Sequence, residues 1–270
     1  MPNCLKMPIL WLILQLAAFW PVWRWVVSRA ADSSDDHLGW IALVTVLCLA
    51  VYRAPGRETV RGPLWLPAGL TLGYALSYHF LPPLPRAMIA ICALASTLSL
   101  CRFGTPLQGG ICGLLLLSLP LMASLQFYLG YPLRALIAMA AGPLLQLGGL
   151  PVFAEGTGLN WNGRLVMVDA PCSGIKMLWA GLYLTFTLSG YYRLNLRRTL
   201  AATAIASIVV ILGNLFRSVG LFYVESGILQ FPAWTHEGIG VAAFLLTAAA
   251  IAGAMRHLTS IELCVELRFF

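Results

Sequence analysis

Long apolar runs, separated by short polar breaks that carry arginine, constrain this 270-residue chain more than any other feature. The runs fall at about 7–27, 38–52, 63–81, 87–101, 103–130, 132–149, 173–190, 199–225 and 237–255. A helix that crosses a bilayer needs roughly 20 apolar residues, and backbone groups inside lipid must be satisfied within the segment. An all-α polytopic membrane protein is therefore expected, with residues 1–270 forming a single integral membrane domain. Charged residues make up 10% of the chain, against about 25% in soluble domains. The net charge of +7 does not point to nucleic acid, because the basic residues punctuate the apolar runs and form no stripe. The seven cysteines show no metal-ligand or disulfide spacing, so neither a zinc site nor a disulfide framework is expected, and the chemistry read below implies no metal or organic cofactor.

Arginine placement sets the expected topology. Arg53, Arg57 and Arg61 cluster in one break, and Arg193, Arg197 and Arg198 in another. The positive-inside rule puts both in the cytoplasm and leaves Asp32, Asp35 and Asp36 outside. Nine crossings cannot satisfy both clusters. The run 132–149 is the weakest, being interrupted by Gly142-Pro143, and is expected to form an interfacial or re-entrant helix. About eight transmembrane helices follow, with both termini inside. Residues 150–171 become an extracytoplasmic segment, where Asn162-Gly163 between Leu159 and Val168 predicts a small β-hairpin. That location suits a lip that positions a substrate strand.

The hairpin leads into Asp169-Ala-Pro-Cys-Ser-Gly-Ile-Lys-Met-Leu-Trp179. Cys172 sits where this polar segment meets an apolar helix, and the positive end of a helix dipole favours thiolate, the nucleophilic form. Lys176, four residues on, shares that helix face, and the small residues Ser173 and Gly174 allow close approach of a substrate. A cysteine beside a membrane helix is more often a packing residue, and the other six are read that way. Arg217 lies eight residues from the end of run 199–225, roughly 12 Å deep. An arginine at the bilayer centre costs about 2.5–3.5 kcal/mol on insertion scales, so it is expected to face a polar interior and to stabilise an oxyanion or dock a carboxylate. Snorkelling to the headgroups is the plainer alternative. Asn214, three residues earlier, would add a donor on the same face. His236 opens the last run and would serve as general base and then acid toward Cys172; alone, it would be an ordinary interfacial residue.

Ala170-Pro171-Cys172-Ser173-Gly174, the Asn214-x-x-Arg217 helix and His236 before Gly238 resemble the exosortase/archaeosortase family over approximately residues 130–245. Asp36-His37-Leu38-Gly39 is similar to a family loop that contains histidine. The chain departs from the family pattern at Pro171 and at Lys176, where many members have arginine. The resemblance implies a bacterial inner-membrane cysteine protease or transpeptidase with its site facing the extracytoplasmic side. Its catalytic residues would be Cys172, Arg217 and His236, with Lys176, Asn214, Ser173 and His37 in supporting or substrate-binding roles. Its partners would be the lipid bilayer and membrane-anchored proteins bearing a C-terminal sorting tail: a motif such as Pro-Glu-Pro, an apolar helix and basic residues. Their processing would be linked to surface anchoring or exopolysaccharide export. Two rival readings stand beside it: a small transporter or channel with Arg217 and Lys176 along an anion path, and a non-catalytic subunit for polymer export.

Overall fold

The computed structural model describes residues 6–32, 38–52, 64–167, 174–228, 232 and 234–266. Ten helices and one small sheet make up these residues. The helices are α1 (Lys6–Ala18), α2 (Trp20–Asp32), α3 (Leu38–Tyr52), α4 (Trp65–Ser77), α5 (Pro83–Phe103), α6 (Gly109–Leu117), α7 (Met122–Leu147), α8 (Ile175–Tyr191), α9 (Leu196–Glu225) and α10 (Trp234–Glu266). The strands β1 (Val152–Glu155), β2 (Gly158–Trp161) and β3 (Arg164–Met167) lie between α7 and α8. Among the described residues, three helices are long and apolar enough to cross a membrane: α5, α9 and the 234–259 part of α10. The number is up to five if the interrupted pairs α1–α2 and α6–α7 each count as one span. The chain divides into two compact units, residues 1–121 with 185–201, and residues 122–184 with 202–270.

In the first unit, a buried glutamine ties helices that apolar contact alone would leave free to slide. Gln15 donates from Nε2 to Thr71 Oγ1 (2.9 Å) and accepts at Oε1 from Thr97 Oγ1 (2.7 Å). One amide thus links α1, α4 and α5 with both its donor and its acceptor side engaged. The apolar run 7–27 does not form a single straight helix. It breaks at Phe19 with a 57° bend between α1 and α2. Pro21 lacks the N–H that would continue the ladder, and Val22 instead reaches back to the Phe19 carbonyl (2.9 Å) in a tighter turn.

The helix that opens the second unit corrects the expected boundaries. No separate helix begins at 132; α7 runs through Pro132 and Pro143 to Leu147. The interruption lies instead at 118–121, where Pro120 disfavours helical geometry at Leu119. A proline inside a helix forfeits one hydrogen bond, and here apolar packing holds the continuous helix: Ile137, Ala138, Ala141 and Leu145 are buried in one cluster with Val152, Leu159, Leu215, Leu221 and Phe222. That cluster joins α7, the sheet and the C-terminal half of α9. The expected hairpin is present as β2–β3, and β1 extends it to a three-stranded antiparallel sheet in the order β1-β2-β3. Asn162 (φ 51°) and Gly163 (φ 79°) both take the left-handed conformation that a type I′ turn requires. Glu155 and Gly158 flank the other two-residue turn, where Gly156 has φ 60°.

Candidate functional site

The second unit brings α8, α9 and α10 together through glycines. A Cβ at Gly213 on α9 would overlap Thr247 Oγ1 of α10 and reach the Met177 methyl of α8 at 3.2 Å. Helices in lipid gain little from hydrophobic exclusion, so small residues that let backbones approach are an effective way to pack them. The close packing has a direct effect on the polar residues of α9. Asn214, the next residue, is buried against Gly174, the residue immediately before α8: a Cβ at Gly174 would lie 2.7 Å from Asn214 Nδ2. Gly174 also has φ +78°, so both its backbone and its neighbour require glycine.

Arg217 lies one turn further toward the C-terminus on the same helix face as Asn214, with Ser218 buried beside it. Its guanidinium packs against Gly240 of α10, where a Cβ would stand 3.5 Å from Nε and 3.8 Å from Nη2. Nε is buried and has no hydrogen-bond partner among the described residues. Gly240 is one turn beyond His236, so Arg217 and the imidazole share one face of α10. His236 Nδ1 lies 3.4 Å from Oε1 of Glu225, the last residue of α9. Glu225 also lines a narrow cleft with Leu159, Val166 and Met167 of the sheet and with Ser218.

α9 is thus the spine of the site. Asn214 faces the entry to α8, Arg217 faces α10, and Glu225 meets His236. A cavity of about 100 Å³ opens beside Gly174 and Asn214, walled mainly by Leu133, Ile137, Val210 and Ile211. Lys176 is exposed on the first turn of α8. Cys172, Ser173 and His37 lie outside the described residues. Sequence reasoning missed Glu225 and Gly240. Glu225 carried a signal, being the one acid in the apolar run 199–225 and only eleven residues before His236. Gly240 carried none, since its role is to leave room for a side chain on another helix.

These elements define a polytopic helical membrane protein in which the polar side chains Asn214, Arg217 and Glu225 follow one another along α9 and meet α8 and α10 at successive levels. The model of the transmembrane exosortase family (Exosortase_EpsH) matches residues 9–253, and the chain belongs to that family. The match extends well beyond the 130–245 stretch that carried the resemblance. No curated protein and no solved structure matches the chain.

Proposed function

We propose that this exosortase is a membrane-embedded cysteine protease or transpeptidase that cleaves C-terminal sorting signals, with Cys172, Arg217 and His236 as its catalytic residues. The observation that carries the reading is the arrangement on α9: Asn214 packs on Gly174, two residues after Cys172 in sequence, while Arg217 packs one turn from His236 on α10. The Cys172 thiolate attacks the scissile carbonyl and forms the C–S bond. Arg217, whose Nε has no partner among the described residues, stabilises the oxyanion together with Asn214. His236 protonates the leaving amine as the C–N bond breaks, and an amine or water then resolves the acyl-enzyme. Lys176 and Ser173 support the thiol, and His37 belongs to the substrate-binding surface. Orientation of these groups supplies most of the rate.

The same reading places about eight crossings in the inner membrane. The interrupted pairs α1–α2 and α6–α7 each count as one, and α3, α4, α5, α8, α9 and α10 supply the rest. Both arginine-rich breaks then face the cytoplasm, and the sheet and the site face outward. The test is coexpression with a secreted reporter that ends in a Pro-Glu-Pro motif, an apolar helix and basic residues. The reporter is shortened by the parent protein and stays full length with Cys172→Ala. Shortening by both would overturn the reading.

A further inference from the structure

The two edges of the sheet are not alike. Trp161 and Arg164 flank the two-residue Asn162-Gly163 turn, so they form a hydrogen-bonded pair. Antiparallel pairs alternate, which makes Asn160↔Leu165 and Gly158↔Met167 non-hydrogen-bonded pairs. The N–H and C=O groups of Leu165 and Met167 therefore point away from β2. Counting from the Glu155↔Gly158 pair turns the groups of Ala154 and Val152 outward at the other edge.

That other edge is closed. The Val152 N–H donates to the Leu150 carbonyl (2.9 Å), and the Val152 carbonyl accepts from Gln146 Nε2 (2.8 Å). Ala154 lies along α7, where a Cβ on Gly142 would stand 3.7 Å from its backbone nitrogen. The outward main-chain groups of Leu165 and Met167 have no hydrogen-bond partner among the described residues. Both side chains are about half exposed, at 50% and 45%. An open strand edge is a template for another extended chain, and proteins commonly cover or charge it when pairing is unwanted. Among the described residues β1 is covered and the edge of β3 is unpaired, and in sequence β3 leads on to Cys172, five residues after Met167.

We propose that the open edge of β3 is a docking site for an extended peptide: the segment of the substrate beside the scissile bond, which adds to the sheet as a fourth strand. This deepens the enzyme reading and rests on it. Pairing uses the N–H and C=O of Leu165 and Met167, so it reads an extended backbone at every second substrate residue and does not read one particular sequence. The intervening residues turn their main-chain groups to solvent, where proline is tolerated. Substrate side chains on the sheet face that carries Leu165 and Met167 meet apolar neighbours, which favours uncharged groups there.

The probe that tests this is acetyl-Ala-Val-Thr-Val-Gly chloromethyl ketone, which alkylates a thiol with loss of chloride. It is used on the full chain in lipid with the other six cysteines replaced, beside probes N-methylated at one amide at a time. The expected result is labelling of Cys172 that slows about tenfold when every second amide is methylated and is unchanged at the amides between. Leu165→Pro, which removes an outward N–H and no ladder bond, is expected to weaken that alternation. Fast labelling that ignores every N-methyl group would overturn strand pairing and leave the enzyme reading standing. Labelling no faster than that of free cysteine by the same probe would overturn both.

Discussion

The imidazole Nδ1 of His236 lies 3.4 Å from Oε1 of Glu225, so the first turn of α10 is held to the last residue of α9. A carboxylate at Nδ1 fixes the ring orientation and keeps a proton on that nitrogen, which leaves Nε2 for proton transfer. Glu225→Gln retains the shape and removes the charge. General acid–base catalysis contributes about 10²–10⁴-fold, and a misoriented imidazole forfeits part of it. Reporter processing is expected to fall on the order of tenfold with Glu225→Gln and to recover in part with Glu225→Asp. Parent-level rates in Glu225→Gln would show that the contact is only structural.

Gly174 and Gly240 predict opposite responses to the same substitution. Gly174→Ala places a Cβ 2.7 Å from Asn214 Nδ2 on a backbone with φ +78°, and each effect opposes folding. The left-handed conformation alone costs about 1–2 kcal/mol for a residue with a Cβ. The variant is expected to unfold at lower temperature in detergent and to lose processing. Gly240→Ala meets Arg217 at an ordinary 3.5 Å and is expected to retain both, whereas Gly240→Leu drives the guanidinium from its place and abolishes processing while α10 still forms.

Arg217 presents a planar fork of donors, and lysine offers a single point charge. Arg217→Lys is therefore expected to fail almost as badly as Arg217→Ala. In both, initial processing rates should fall by about 10²–10³-fold, the range for removal of an oxyanion donor. Full activity in Arg217→Lys would make the residue a headgroup anchor, as a snorkelling arginine would be.

A reporter inserted in the Gly156-Thr157 turn between β1 and β2 is expected to score as extracytoplasmic, since the proposed eight crossings would place the sheet outside. A cytoplasmic score would remove the topology on which the outward-facing site rests.

The helical membrane class was legible because each apolar run states its own solvent, and the Asn162-Gly163 turn was legible because its chemistry is local. Helix limits were less so. Pro132 looked like a boundary and Pro120 did not, yet α7 passes through Pro132 because packing of Ile137, Ala141 and Leu145 under the sheet outweighs one lost hydrogen bond. β1 was less visible, because four residues are too few to show a period. At the site, Asn214, Arg217 and His236 declared themselves as polar residues in apolar runs. Gly240 could not, because its meaning lies in a side chain on another helix.

The most direct test of the account is the rate of Cys172 alkylation as a function of pH. The chain would be in lipid with the other six cysteines replaced, alongside His236→Ala and Arg217→Ala. A labelling midpoint well below the free-thiol value of about 8.5, moved by His236→Ala, is expected of an activated nucleophile. A midpoint at or above that value, indifferent to both substitutions, would make Cys172 a packing residue and contradict the central claim.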